Sequence, residues 1–318
     1  MISIIMPAYN AGRFIAAAIQ SVLAQTYSHW ELWVIDDASE DDTALIMDRF
    51  QDARIHYLPV SRIGSPSGVR NVGLQKASGE FIAFLDADDL YFPDTLKTLL
   101  TPLLSNPQLT AVYGFCRHID EFSKPLPERD MNLQNGYQLT WEKIVKGHIS
   151  SQLPALMLRR STFERVGFFN ADLCGPEDYE YYARLFLDNL NAVCCLPQFV
   201  YEYRVHLESL TKAPKHYAGI LKDCIKILEW LYTHPDLPAE ARPFKSQAYT
   251  EVYRYLARER LLINQPRVTR EIARAAWEDK NIEKPDWLKV FIPLIGRSFL
   301  SPGLNQWLRN IRTQLYKS

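Results

Sequence analysis

The 318-residue sequence predicts an α/β chain: a doubly wound, mostly parallel sheet followed by a helical C-terminal region. Short apolar runs alternate with helix-period stretches as far as about residue 115. Three of those runs end in clusters of Asp, Asn and Tyr. From about Lys215 onward the pattern is helical, broken by Pro235, Pro238, Pro243, Pro266 and Pro285. Strands separated by helices imply βαβ units, hence a sheet whose strands run mainly one way.

The strands expected in order are Ile2–Met6, Trp30–Ile35, Ile55–Leu58, Phe81–Leu85 and Ala111–Phe115. The helices between them are Gly12–Gln25, Asp41–Gln51, Gly68–Ala77 and Pro93–Leu104. Ser39 with Asp42 three residues on resembles a capping box, and Pro93 suits a first helical turn. Cys116–Thr140 is polar and reads as a long loop. A strand at Leu153–Leu158, a helix opening near Ser161 and a helix from about Asp178 to Asn189 follow. Ala192–Leu196 and Val200–Val205 read as two further strands. The expected division is a catalytic part over 1–212, with halves 1–115 and 116–212, and a helical part over 213–318.

At 47% hydrophobic and 23% charged, the chain can bury a sizeable core. A formal net charge of −1 gives no electrostatic case for nucleic acid, so a charged ligand must be held by local groups. The five cysteines, Cys116, Cys174, Cys194, Cys195 and Cys224, show no metal or redox spacing. They read as reduced structural thiols of a cytoplasmic protein. The residues at the start lack a basic n-region and a cleavage site, and Ile2–Met6 is too short for a signal h-region, so no signal peptide is expected; no window approaches a membrane-spanning length.

In a parallel sheet the carboxyl ends of the strands share one edge, and ligands bind there. The first strand finishes in Pro7-Ala8-Tyr9-Asn10, the second in Asp36-Asp37-Ala38-Ser39, the fourth in Asp86-Ala87-Asp88-Asp89. Like charges gathered on one rim cost free energy, so a purely structural chain gains nothing from them. Asp41-Asp42 needs no more than a turn. Asp86 and Asp88, one residue apart at the end of an apolar run, suit Mg²⁺ or Mn²⁺ held together with substrate phosphates. No G-x-G-x-x-G follows the first strand, which disfavours hydride transfer, and Gly64-Ser65-Pro66-Ser67-Gly68 lacks the ending of a P-loop.

Together these segments resemble family 2 of the glycosyltransferases, whose catalytic domain has the GT-A fold, over roughly residues 1–212. Ile4-Ile5-Met6-Pro7-Ala8-Tyr9-Asn10 resembles the first strand and base-binding turn. Trp33-Val34-Ile35-Asp36-Asp37-Ala38-Ser39 resembles the second, with Asp37 against the nucleobase. Gly68-Val69-Arg70-Asn71-Val72-Gly73 resembles the helix start whose arginine, Arg70, helps hold the nucleotide. Pro66 and Gly68 depart from the usual segment, which bears on the loop's shape. Phe84-Leu85-Asp86-Ala87-Asp88-Asp89 resembles the D-x-D element, implying that Asp86 reaches the donor and Asp88 ligates the metal. Gly175-Pro176-Glu177-Asp178-Tyr179 resembles the E-D motif, whose aspartate is the general base. Arg204-Val205-His206-Leu207-Glu208-Ser209 resembles the late R-x-H-x-x-S element, whose histidine joins the metal or diphosphate.

The resemblance implies an inverting, metal-dependent transferase. It would move a sugar from a nucleoside-diphosphate sugar to a glycan, lipid-linked or small-molecule acceptor. Asp178 and Glu177 are the expected catalytic pair; for Asp178 the plainer role is an N-cap. Pro7, Ala8, Tyr9, Asp37, Arg70 and Asp86 are expected on the nucleotide sugar, Asp88 and His206 on the metal. The plainer reading of Arg204 is a surface ion pair. Of Tyr179, Tyr181 and Tyr182, at least one must face the core, and Tyr179 is the choice for the acceptor side. A catalytically silent sugar-nucleotide or glycan-binding module and a nucleotidyltransferase are the competing classes. After Asp286 the chain carries Lys289, Arg297, Arg309, Arg312 and Lys317 among Trp287, Phe291, Ile292, Phe299, Leu300, Trp307 and Leu308. A helical hairpin packed on its own domain is expected there, with a peripheral membrane-surface face as the alternative.

Overall fold

Runs such as Ile2-Ser3-Ile4-Ile5-Met6 are buried on both faces, as strands covered by helices on either side must be. In the computed structural model the described residues are 1–127, 140–145, 152–173, 175–206, 217–262, 266–288 and 291. They form two compact units, Met1–Thr140 with Ile149–Ser209, and Trp141–His148 with Leu210–Ser318.

The first unit holds an eight-stranded sheet among the described residues, in the order β3-β2-β1-β4-β7-β6-β8-β5. The strands are β1 Ile2–Ala8, β2 Trp30–Asp36, β3 Ile55–Pro59, β4 Phe81–Phe84, β5 Leu90–Tyr91, β6 Ala111–Ile119, β7 Leu156–Arg159 and β8 Val193–Arg204. β1 to β4 run parallel, so Ala8, Asp36 and Phe84 finish on one edge. Beyond them the sheet is mixed. β7 is antiparallel to both β4 and β6, β6 is parallel to β8, and β5 is antiparallel to β8.

The helices of this unit are α1 Ile15–Leu23, α2 Thr43–Met47, α3 Pro66–Lys76 and α4 Thr95–Ser105. After the excursion of α5 (Trp141–Val145), which belongs to the second unit, come α6 Thr162–Val166 and α7 Glu177–Asn189. α1 buries Ile15, Ala18, Ile19 and Val22, and α4 buries Leu96, Leu99, Leu100 and Leu103, each at the spacing of one helical face. α3 lies close on the sheet because position 73 is glycine. A Cβ there would sit 2.6 Å from Ile5 Cγ2 and 3.2 Å from Ile35 Cγ1.

Several expectations shift. Ser39 caps nothing, since its N–H and hydroxyl both serve Asp36, and α2 starts at Thr43 without a side-chain cap. Pro93 precedes Asp94, the N-cap of α4, and lies outside the helix. The expected loop after Cys116 begins as strand, with β6 reaching Ile119 and Ile119 bridging Pro125; its residues 128–139 lie outside the described set. The two strands expected between Ala192 and Val205 are one, β8, whose register against β6 shifts beside Phe115. β5 is too short to read from alternation.

The second unit contains α5, α8 (Tyr217–Thr233), α9 (Lys245–Leu262) and α10 (Pro266–Glu278), with α9 packing against α5, α8 and α10. Most of the basic and aromatic C-terminal stretch lies outside the described residues. Within them, Trp287 stacks on Phe291 at 5.3 Å and donates from Nε1 to Ala273 O at 2.8 Å. Cys116, Cys194, Cys195 and Cys224 form no disulfide among the described residues; Cys174 is outside the described set. Among the described residues no helix is long and apolar enough to cross a membrane.

Candidate active site

The ends of β1 and β2 form a single braced turn. Asn10 N–H donates to Ser39 Oγ at 2.9 Å, and Asn10 Oδ1 accepts from Glu40 N–H at 2.8 Å. Asn10 (φ 48°) and Ala38 (φ 59°) both take the left-handed backbone conformation. Asp36 is buried and structural, accepting from Ser39 N–H, Ser39 Oγ and the Tyr57 hydroxyl. Burial, reinforced by Asp36, raises the Tyr57 phenol above its ordinary value. Pro7 lies within β1 opposite Ile35, and Ala8 is buried beneath the turn.

Tyr9 projects from this edge, 46% exposed. Asp37, expected on the nucleobase, is buried, and both of its oxygens already accept. One takes Ile63 N–H; the other takes Gly64 N–H at 3.0 Å and the Arg62 guanidinium. The Arg62 guanidinium also lies over the Tyr9 ring, 3.5 Å from its centroid. No sequence signal singled out Arg62.

Pro66 and Gly68 find a simple place. Pro66 is the first residue of α3, where its fixed φ is pre-set, and the Ser65 hydroxyl caps the helix by accepting from Gly68 N–H at 3.2 Å. Arg70 follows on the buried face of α3. It donates from Nη2 to Asp86 Oδ1 at 2.6 Å and from Nη1 to Glu177 Oε1 at 2.8 Å. Burial works to lower this guanidinium, but the two carboxylates override it and hold it above its ordinary value. Residues 70, 86 and 177 thus form one charged chain across the ligand edge. Arg70 is engaged by protein carboxylates rather than left open, and Glu177, expected beside Asp178 in catalysis, is buried against it.

Asp178 is the second residue of α7 and is only partly covered at its surface. It is not the N-cap; that position is Pro176. Its carboxylate accepts the Tyr179 N–H at 2.7 Å. Burial first, and then the Glu177 charge, push the Asp178 carboxyl up to about 8. Tyr181 and Tyr182 are core residues, whereas Tyr179 is half-buried at the same helix start.

Asp88, two residues after Asp86, has a side chain 34% exposed. His206 Nε2 is 2.8 Å from its Oδ2. Both side chains come from strand ends, Asp88 after β4 and His206 after β8. Arg204, read as a surface ion pair, is instead fully buried. It donates from Nε to Asp88 O at 2.7 Å, and from Nη1 to Asp120 O at 3.2 Å and Ser123 Oγ at 2.9 Å. Its backbone N–H donates to Asp89 Oδ1 at 2.8 Å. Burial, with Asp88 and Asp86 adding to it, drives the Asp89 carboxyl well above the carboxylate range. Phe14 packs 4.9 Å from both the His206 ring and the Arg204 guanidinium.

Among the described residues no three or more His, Cys, Asp or Glu side chains gather into an ion cage. The residues present nevertheless fit Mn²⁺ or Mg²⁺. Asp88 offers a carboxylate still open to solvent and His206 a ring nitrogen beside it, while its Nδ1 is buried without a partner among the described residues. Such ions take one or two protein ligands and fill the rest with phosphate oxygens and water. Leu207, Glu208 and Ser209 of the late motif lie outside the described residues.

Known proteins resemble the chain in both sequence and fold. It is 45% identical over 114 residues to the UDP-Glc:alpha-D-GlcNAc-diphosphoundecaprenol beta-1,3-glucosyltransferase WfgD of Escherichia coli, covering 36% of this chain and 45% of that one. It is 30% identical over 164 residues to TuaG of Bacillus subtilis (strain 168), a glycosyltransferase provisionally named for teichuronic acid biosynthesis, covering 51% and 64%. The chain therefore matches less than two thirds of either relative's length. Residues 1–349 of S. aureus TarS with UDP-GlcNAc superpose with a TM-score of 0.66 at 20% identity, covering 92% of this chain and 80% of that one. The Pyrobaculum calidifontis mannosyltransferase PcManGT, solved with GDP-Man and Mn²⁺, gives 0.62 at 18% identity, covering 97% and 83%. These likenesses establish the GT-A fold. The profile of glycosyl transferase family 2 matches residues 3–171, more than half of the chain. This protein belongs to glycosyl transferase family 2.

Proposed function

We propose that the chain is an inverting glycosyltransferase that moves a sugar from a nucleoside-diphosphate sugar to an acceptor hydroxyl, in surface polysaccharide or glycolipid synthesis. One observation carries the reading. Arg70 joins Asp86 of the D-x-D turn to Glu177, so the donor-side carboxylates and Asp178 stand on one edge although they are far apart in sequence.

Asp178 is the general base. The acceptor oxygen attacks the anomeric carbon, the bond from that carbon to the diphosphate breaks, and the acceptor's proton passes to the Asp178 carboxylate. Glu177 positions Asp178 and Arg70 rather than reacting. Tyr9, with Pro7 and Ala8 behind it, and Asp37 form the base-binding side, Asp86 meets the donor, and Tyr179 borders the acceptor. Asp88 and His206 would hold Mn²⁺ or Mg²⁺, which supplies positive charge for the departing diphosphate. The donors of WfgD, TarS and PcManGT named above make UDP and GDP sugars the first candidates, and the acceptor in WfgD's name makes a lipid-linked one reasonable. Such an acceptor would bring this chain to the inner face of the cytoplasmic membrane.

The test is release of nucleoside diphosphate from a panel of nucleotide sugars with Mn²⁺, comparing the intact protein with Asp88→Ala and Asp178→Asn. Release from one donor, lost in both variants, is expected. Binding of a donor without release, even with candidate acceptors, would point to a silent binding module. Formation of a nucleotide sugar from a sugar phosphate would point to nucleotidyl transfer.

A further inference from the structure

The two groups assigned to the donor base are both engaged by one side chain of the protein itself. The Arg62 guanidinium lies over the Tyr9 ring at 3.5 Å, the contact distance of stacked planes, and its Nη1 pairs with the Asp37 carboxylate. The same Nη1 is 3.3 Å from the Asp37 carbonyl oxygen. A flat, donor-bearing group thus covers the aromatic face and satisfies the acceptor that a flat, donor-bearing base would use.

Arg62 is free to leave. Its side chain is 47% exposed, and the loop that carries it turns at Gly64, where φ is +83° and no atom lies within 4 Å of an added Cβ. Asp37 does not depend on Arg62 to stay in place, because the Ile63 and Gly64 N–H groups hold its two oxygens.

We infer that Arg62 is a built-in competitor for the donor base: it occupies the Tyr9–Asp37 position when the site is empty and must swing out before a nucleotide can enter. Arg62 thereby lowers affinity for any nucleotide and sets how strongly a base must stack and hydrogen-bond to gain entry. The inference rests on the donor-site reading above and adds a residue to it.

The experiment is calorimetric titration of the whole chain with UDP and with GDP at fixed Mn²⁺, alongside stopped-flow association. Arg62→Ala should bind whichever diphosphate the wild type binds about tenfold more tightly, ~1.4 kcal/mol, chiefly through faster association. Arg62→Lys keeps a cation for Asp37 but loses the flat stack, and should also bind more tightly than wild type, which covers the case of a poorly folded alanine variant. Weaker or unchanged binding by folded variants would overturn the inference and leave the donor site standing, with Arg62 then a ligand of the nucleotide or a bystander. If neither wild type nor variants bind either diphosphate, the donor-site reading itself fails and the inference with it.

Discussion

Two buried arginines grip the D-x-D turn, and they do so differently. Arg70 holds it through side-chain carboxylates, Asp86 on one arm and Glu177 on the other. Arg204 holds it mainly through main-chain and hydroxyl oxygens: Asp88 O, Asp120 O and Ser123 Oγ. The consequence appears in their proton affinities. Carboxylates outweigh burial at Arg70 and raise it, whereas burial prevails at Arg204 and lowers it. Arg70 balances charge at the site, and Arg204 fixes its shape. Buried charge without a partner is expensive, while a lost donor to a carbonyl is a smaller and more local defect.

That contrast is broken most severely by Arg70→Met. It strands Asp86 and Glu177 beside Asp178, and should cost about 3–5 kcal/mol of folding stability in urea denaturation. A loss below about 1 kcal/mol would mean the carboxylates find water instead. Arg204→Lys keeps the cation but not the fork, and should cost about 2 kcal/mol. Because it loosens the turn rather than its charge, it should raise the Mn²⁺ concentration needed for half-maximal donor binding. An equal loss for both arginines would erase the distinction.

The Arg70 side can be sharpened by pH. Asp178 keeps its proton to about 8 in the folded chain and gives it up near 3.9 when unfolded. The folded state binds more protons between those values, so this group's contribution to stability falls as pH rises from about 4 to 8. Activity should run the other way, because a base must be ionised. The kcat/KM profile should climb with an acid limb near 8, and the stability slope should flatten in Asp178→Asn. An acid limb at pH 4–5 would remove Asp178 from the role. The smallest effect belongs to Ser65→Ala, which uncaps the helix carrying Arg70 and should cost about 1 kcal/mol by thermal melting.

β1, β2 and β4 were legible because each is a continuous buried run, as in Ile2–Ala8, and α1 and α4 because each buries one helical face, as in Leu96–Leu103. The edge that gathers Tyr9, Asp37, Asp86 and Asp88 followed from strand direction alone. Two features had no local trace. β5 has two residues, too few for a pattern, and the strand expected at Leu153–Leu158 is present as β7, Leu156–Arg159, but its antiparallel place between β4 and β6 depends on residues far away in the chain. The same limit applies to the site. Arg204 and Arg62 look like ordinary surface cations locally, and only contacts with residues 88, 120 and 123, or 9 and 37, give them work. Asp178 was singled out by motif as the proposed base, but its neighbour's attachment to Arg70 spans 107 residues and has no local trace.

The left-handed conformation of Ala38 has a consequence for how this edge tolerates change. A side chain at φ 59° costs about 1 kcal/mol relative to a right-handed residue, which glycine would relieve. Glycine also gives the unfolded chain more freedom, about 0.4–1 kcal/mol in the opposite direction. The two nearly cancel, so selection on melting temperature alone would scarcely register this position. Selection on the proposed recognition of the donor base would, since Asp37 rides on the same turn and alanine narrows the range of shapes it can sample. Variation at position 38 across related chains would therefore track how selective each is for its donor, and say little about how hot it lives.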